Sequence, residues 1–389
     1  MWISHLSLSH FRNYSKQDLD LPRGVSLILG DNAQGKSNLL EAVFLLATTR
    51  SERSATDGEL IGWDALDDPQ PVARVAAQIE RAAGPLALEV IIAGRPNGKS
   101  AERVPASKRL RVNGVPRRSV DVVGQLTAVL FSTEDMDLIG GPPAGRRRFL
   151  DVTLSQIDAQ YARALQRYTK VVTQRNALLK RIQDGASAPG ELPFWNEQFA
   201  QEGAVLINRR AACIESIAGR ARDAHRDLSG GLEELSITYE PRLEGWDGAR
   251  VLKKPKGVEA ALDGALAAGQ RRDIGAGMTL TGPHRDDLSF ALDGVAAAHF
   301  ASRGQQRTAA LALRLAEARY MAEQKGDLPV VLLDDVLSEL DEDRRHAVLE
   351  SLGGWDQLLI TSADPDRFGE GLRAAAVFRV TAGTMTAAP

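Results

Sequence analysis

The chain has a single cysteine, Cys213, among its 389 residues. That excludes an internal disulfide and any thiolate cluster for a metal, and it suits a reducing, cytoplasmic compartment. No apolar run approaches the ~20 residues that a membrane-spanning helix needs. The opening Met-Trp-Ile-Ser-His-Leu-Ser-Leu-Ser-His alternates as a strand does and lacks the basic-then-apolar layout of a signal peptide. A basic excess is missing too. The formal net charge is -3, so a nucleic-acid surface would have to be a local patch. The six histidines (His5, His10, His225, His284, His299, His346) are scattered without metal-ligand spacing and read as structural or surface groups. Internal repeats and low-complexity tracts are also lacking. What remains is a globular composition, 43% hydrophobic and 25% charged, in a chain long enough for two or three lobes.

Hydrophobic periodicity divides the chain into three parts. Residues 1–140 read as strands around one strong helix. Val25 to Gly30 is a short apolar strand entering a Gly-bounded loop, and Ser37 to Leu46 has the periodicity of an amphipathic helix. Arg109–Val112 and Val115–Arg118, joined by Asn113-Gly114, form a hairpin in which Pro116 demotes the second strand to an edge. Residues 141–235 are helical. A long pattern from Leu154 to Ile182, broken at Arg175, and a second from Trp195 to Ile217 flank the turn Asp184–Gly190. Two helices of about 30 residues would make an antiparallel arm roughly 45 Å long that pairs mainly with itself. Residues 236–389 return to strands, with Leu288–Leu292, Val330–Leu333 and Leu358–Ile360 as the clearest. A helix runs from Thr308 to about Glu323, and Thr381 to Pro389 reads as a frayed tail.

Gly30-Asp31-Asn32-Ala33-Gln34-Gly35-Lys36-Ser37 matches G-x-x-x-x-G-K-[ST] at every required position. Its glycines permit a tight loop whose N–H groups converge on phosphate oxygens, at the positive end of the helix that follows. Lys36 supplies charge for the β- and γ-phosphates of ATP, and the Ser37 hydroxyl is placed to ligate Mg²⁺. Val330 to Asp335 is an apolar strand ending in paired acids. There Asp334 would hold Mg²⁺ and Asp335 would orient or deprotonate the attacking water. Ser302-Arg303-Gly304-Gln305-Gln306-Arg307 stands directly before a helix. Its hydroxyl and backbone amides can take an anion or serve as an ordinary N-cap. Between Arg95 and Arg118 eight basic residues (Arg95, Lys99, Arg103, Lys108, Arg109, Arg111, Arg117, Arg118) face the single acid Glu102. That stretch is either a solvated hairpin or a DNA-binding face. Arg146-Arg147-Arg148 is either a phosphate contact or solvated charge at a helix start. His284-Arg285-Asp286-Asp287 serves a DNA channel, a nucleotide pocket or a structural cross-link.

The order of these motifs resembles the ABC-type ATPases, where Ser302, Gly304 and Gln305 would be the signature that caps the γ-phosphate of a neighbouring subunit. Ser338-Glu-Leu-Asp341 is similar to that class's D-loop. Finer detail resembles the RecF family: Gly30 to Ala42, Phe11-Arg-Asn-Tyr14, Arg146 to Asp151, Thr281 to Leu288, Ser302 to Arg307 and Leu332 to Asp341. The resemblance spans essentially the whole chain. It implies an α/β ABC-type head with two lobes and a short antiparallel coiled-coil arm. It implies a cytoplasmic, ATP-dependent homodimer acting in replication-fork repair and the SOS response. Such a protein binds double-stranded DNA and single-strand junctions and helps load RecA with RecO and RecR.

Three features depart from the wider class. Asp335 replaces the usual Glu and is one methylene shorter, which favours slow turnover. The Gln of the Q-loop has no clear counterpart in Ala128 to Asp135, where Glu134 is a candidate metal contact. Thr361-Ser362 stand where transporters often place a switch His. Two other functions fit a P-loop of this kind: a transporter's nucleotide-binding subunit, or a structural SMC- or RecN-like head. The helical hairpin between Lys36 and Ser302 argues against the first, and the shortness of the arm argues against the second.

Overall fold

The computed structural model describes residues 1–94, 105–243, 255–364 and 373–388. It divides into two compact units: Met1–Asp135 with Asp227–Gly230 and Arg314–Pro389, and Met136–Arg226 with Gly231–Leu313. The second unit therefore reaches Leu313, whereas sequence periodicity returns the chain to the head at residue 236. Beyond its helices it holds a sheet of its own, which strand patterning alone could not separate from the head.

The first unit is built on two six-stranded sheets. One is antiparallel, in the order β2-β1-β4-β5-β6-β7: β1 (Trp2–Phe11), β2 (Tyr14–Asp20), β4 (Val72–Glu80), β5 (Leu86–Gly94), β6 (Ala106–Val112) and β7 (Val115–Arg117). The Asn113-Gly114 turn has φ of 50° and 76°, the conformation that an Asn-Gly hairpin favours. As Pro116 requires, β7 lies at the edge. The other sheet runs β15-β14-β3-β13-β12-β8. Its strands are β3 (Gly24–Leu29), β8 (Ala128–Ser132), β12 (Val330–Asp334), β13 (Gln357–Ser362), β14 (Ala376–Thr381) and β15 (Thr384–Ala387). All but β15 are parallel. A parallel sheet is covered on both faces, which explains why Val330 to Leu333 are unbroken apolar residues at 0% exposure. Each such side chain contributes about 1.5–3 kcal/mol through burial.

The helix Lys36–Thr48 contacts strands of both sheets. It is accordingly buried nearly all round, with only Ser37 and Asn38 partly open, rather than amphipathic as its periodicity suggests. The residues after Thr381 are not a frayed tail. They form the β14–β15 hairpin, closed through Ala382 and Gly383 in left-handed backbone. Met385 is 4% exposed, and both of its backbone groups bond to the Gln17 side chain.

The second unit is mainly helical. Its first helical run is broken at Asp158, not at Arg175, giving helices Pro143–Ile157 and Ala159–Gln183. The Asp158 carboxylate caps the second of them through the amides of Gln160 (2.8 Å) and Tyr161 (3.1 Å). Arg175 looks like a break because it is a charge in an apolar stripe. It is 0% exposed, and its guanidinium bonds to Asn196 (2.9 Å), Asp273 (2.8 Å) and Thr279 (2.7 Å). The return helix is Leu192–Leu228. These helices pack against a third element as well as against each other. A further helix, Pro255–Ala276, absent from the sequence reading, buries Val258, Leu262 and Leu266 and places Ile274 against Leu178, Leu179 and Leu192. Its four glycines weaken the helical signal, and the four-residue apolar step carries what signal there is. The strands β9 (Leu235–Glu240), β10 (Asp287–Leu292) and β11 (Val295–Ala296) form the third sheet, in the order β11-β10-β9.

The 281–288 segment and the arginine triplet resolve together. Asp286 is fully buried and accepts from Tyr239, from the Arg242 amide (2.8 Å) and from Arg210 (3.4 Å). Arg146 is 7% exposed and forks onto Asp287 (2.6 and 2.9 Å), while Arg147 donates to the Asp286 carbonyl (2.9 Å). His284 bonds Tyr168 (2.7 Å), and its burial pulls the imidazole pKa down to about 4. Arg146 and Arg147 are thus cross-links within the unit. Removing one partner of a buried ion pair costs about 3–5 kcal/mol. We expect Arg175→Ala, which strands buried Asp273, to lower unfolding free energy by that amount in urea titration. Arg167→Ala, which breaks an exposed pair, should cost under about 1 kcal/mol.

Candidate nucleotide-binding site

Three chain segments meet at the C-terminal ends of the parallel strands of the first unit. Strand β3 ends in the glycine loop, β12 ends in Asp334 and Asp335, and β13 lies between them and ends in Thr361 and Ser362. Ligands of parallel α/β sheets are held at these strand ends. Ser37 Oγ donates to Asp334 Oδ1 at 2.7 Å, and the same carboxylate oxygen accepts from Thr361 Oγ1 at 2.9 Å. Asp335 has φ 56°, a left-handed conformation that costs a non-glycine residue roughly 1–3 kcal/mol. Its amide donates to Thr361 Oγ1 at 3.0 Å, and its carboxylate accepts from Ser338 at 2.6 Å. Ser338 and Ser362 hydroxyls lie 3.3 Å apart.

The loop itself is braced from two sides. From the β1–β2 turn, Tyr14 donates to the Gly35 carbonyl (3.0 Å) and Asn13 to the Gln34 carbonyl (2.8 Å). Arg12 forks onto Glu41 of the following helix at 2.9 and 2.7 Å. From the β14–β15 turn, the amides of Ala382 and Gly383 donate to Gln34 Oε1 (2.6 Å) and to the Gln34 carbonyl (3.0 Å). Gly35 has φ 117°, and a Cβ there would sit 2.6 Å from the Asn13 amide. Lys36 lies 7% exposed, with Nζ donating to the carbonyls of Gly30 (2.6 Å) and Asp31 (2.9 Å). Burial pulls its ammonium below the ordinary lysine range, while the carboxylates of Asp335, Asp334 and Asp31 pull it back. Asp31, Asn32 and Ala33 are exposed, with Ala33 in left-handed backbone at φ 64°. A loop held in this form, with a lysine inside it and a hydroxyl paired to a carboxylate, fits a triphosphate with its divalent cation.

Glu134 is exposed and takes no part in this cluster. It is Asp135 that turns inward, capping the Ser132 amide (2.8 Å) and pairing with buried Arg314 (2.7 Å). In the second unit, Ser302 is the N-cap of the helix Arg303–Lys325. Its hydroxyl accepts from the Gln305 amide (3.3 Å), and Gln305 Oε1 accepts from the Ser302 amide (2.7 Å), a reciprocal capping box. Ser302 and Arg303 are exposed, Gly304 is partly so, and Phe300 beside them is 75% exposed.

Among the described residues of the basic hairpin, three cations are paired with acids. Lys108 pairs with Asp57 (2.6 Å), Arg111 with Glu89 (3.1 Å) and Arg118 with Asp121 (2.9 Å). Arg109 and Arg117 are exposed, while Arg95, Lys99, Glu102 and Arg103 lie outside the described residues. The bracing by Asn13, Tyr14 and the C-terminal turn, and the role of Thr361, escaped sequence reasoning. The Phe11-Arg-Asn-Tyr14 motif and the Thr361-Ser362 pair in place of a switch His were the available signals.

A doubly covered parallel sheet with this loop, these acids and a separate Ser-x-Gly-Gln helix start defines an ABC-type P-loop ATPase. A family model described as the RecF/RecN/SMC N-terminal domain matches residues 2–386. The chain is 42% identical over 395 residues, covering 100% of both chains, to the DNA replication and repair protein RecF of Chloroflexus aggregans. It is 43% identical over 370 residues, 93% of both chains, to the RecF of Roseiflexus castenholzii. A solved structure of the recombination mediator protein RecF with ATP, from the RecFOR pathway, matches with a TM-score of 0.87 and 30% identity over 100% of this chain and 98% of that one. An Smc head bound to the C-winged helix domain of ScpA shares the fold at TM-score 0.54 and 14% identity, over 100% and 97% of the two chains. The chain belongs to the RecF/RecN/SMC family and, within it, to the RecF branch of DNA replication and repair proteins.

Gly383 tests the bracing. A Cβ there would lie 1.9 Å from the Asn13 carbonyl oxygen, at φ 73°. Gly383→Ala should cost at least roughly 1–3 kcal/mol in urea unfolding and weaken ATP binding in a fluorescent-nucleotide titration. Gly294→Ala, at a comparable φ of 79° but with open space around it, should leave ATP binding unchanged.

Proposed function

We propose that the chain is an ATP-dependent recombination mediator that dimerises on nucleotide and hydrolyses it slowly. The observation that carries this is the Ser37–Asp334 pair closing a glycine loop that already encloses Lys36. The loop amides from Gly30 to Ser37 bind the phosphates, and Lys36 moves from the Gly30 and Asp31 carbonyls to the β- and γ-phosphates. Ser37 and Asp334 hold Mg²⁺, which when bound offsets charge on the phosphate oxygens. Asp335 orients the attacking water, and its short side chain makes the protein a switch rather than a motor. Ser302, Gly304 and Gln305 of a second copy cap the same nucleotide, so ATP adds contacts to the dimer that the monomer lacks.

Membership of the RecF branch supports the partners: double-stranded DNA and single-strand junctions, RecR and RecO, with RecA loading as the outcome, in the cytoplasm. Among the described residues, no helix is long and apolar enough to cross a membrane. DNA stimulation of ATP hydrolysis in soluble protein separates this reading from a transporter subunit, whose rate would ignore DNA.

Sedimentation with ATP, with and without duplex DNA, tests the switch. Wild type should dimerise with ATP, and Lys36→Ala should not. Ser302→Ala also removes a helix cap worth about 1 kcal/mol, so Ser302→Asn, which keeps a cap, is the companion variant. Both should bind ATP yet form weaker dimers; a full-strength dimer for Ser302→Asn would refute capping by the hydroxyl. Reversing Arg109 and Arg117 to Glu should weaken duplex binding and flatten the salt dependence by up to about two in log–log slope, read by anisotropy.

A further inference from the structure

We infer that Thr361 is a positioning residue for ATP hydrolysis, a single hydroxyl that aligns both acids at the end of β12. The inference deepens the ATPase reading and rests on it. Parallel pairing sets Asp334 directly opposite Thr361 in the register of β12 with β13. Thr361 is 1% exposed, so its hydroxyl has no solvent to turn to. A hydroxyl offers one proton and two acceptor sites. Here the proton faces Asp334 Oδ1 (2.9 Å), with the Leu333 carbonyl as a longer acceptor (3.3 Å), and an acceptor site takes the Asp335 amide (3.0 Å).

Those two bonds do different work. The first orients the Asp334 carboxylate toward Ser37, whose own hydroxyl sits 2.7 Å from the same oxygen. If Ser37 turns to a bound cation, Thr361 still holds that oxygen. The second bond secures the left-handed backbone of Asp335, at φ 56°. That backbone turn directs the Asp335 side chain to Ser338, which donates to it at 2.6 Å and lies 3.3 Å from Ser362. The strand that in related cassettes often carries a switch histidine here carries two hydroxyls, and the first of them links the acids to the sheet.

Thr361→Val keeps the volume and the β-branch but removes both bonds; Thr361→Ser keeps both. Four quantities are measured on the full chain: ATP affinity in EDTA, the Mg²⁺ concentration for half-maximal turnover, kcat, and amide hydrogen exchange at Asp335 without nucleotide. For the valine variant we expect ATP affinity in EDTA to stay unchanged. Its kcat should fall about tenfold or more, its Mg²⁺ requirement should rise, and Asp335 exchange should quicken by about tenfold. The serine variant should stay close to wild type in all four. Wild-type turnover and Mg²⁺ requirement in the valine variant would overturn the inference, and so would a serine variant as impaired as valine. Loss of EDTA-phase binding or of folding by Thr361→Val, with Thr361→Ser equally affected, would assign the residue to the fold instead and also overturn it. Should Thr361→Val alone fail to fold, Thr361→Ala takes its place in the same comparison. A wild type that binds no ATP sinks the ATPase reading itself, whereas the exchange at Asp335 is read without nucleotide and keeps the two failures apart.

Discussion

The hydrogen bond from Ser37 to Asp334 joins residues 297 apart in the chain, and the site is organised around it. It forms because β13 is inserted between β3 and β12 and keeps the two strand ends level. The parallel register does the spacing: Ser362 lies opposite Leu29 on one side, and Thr361 lies opposite Asp334 on the other.

Rigidity around the glycine loop comes from outside the loop. Asn13 and Tyr14 hold two of its carbonyls, and the turn at Ala382 and Gly383 holds the Gln34 side chain and backbone. The loop is therefore shaped before a ligand arrives, which reduces the ordering that binding must supply. The second unit uses the opposite chemistry to the same end. Its core is cross-linked by arginines, Arg175 on Asp273 and Arg210 on Asp286, each almost completely buried. Such pairs lend specificity more readily than stability, because desolvating the two charges offsets much of their attraction.

Charge counted along the sequence proved a poor guide to surface. The basic stretch from Arg95 to Arg118 read as a solvated hairpin or a DNA-binding face, and Lys108, Arg111 and Arg118 in it face acids contributed by distant or neighbouring segments. Likewise Arg146 and Arg147 read as solvated or phosphate-bound until Asp286 and Asp287 are seen to meet them. Apart from Asp121, three residues from Arg118, the partners are remote in sequence, and no periodicity reports them.

The sequence by itself determined the glycine loop, the acidic strand, the Ser-x-Gly-Gln helix start and their order. These are local patterns, in which the chemistry needs fixed residue types at fixed spacing. It also determined three strands of the parallel sheet, Val25 to Gly30, Val330 to Leu333 and Leu358 to Ile360, from their short apolar runs, and the Asn113-Gly114 turn, whose backbone few other residue pairs adopt. Tertiary structure alone decided what those patterns meet. It placed Thr361 between two acids, turned the expected loose tail into a brace on the loop, and filled the expected bare arm with the helix Pro255–Ala276. A hydroxyl, a glycine and an alanine-rich segment carry almost no signal in one dimension, and they gain a role only from neighbours that folding brings to them.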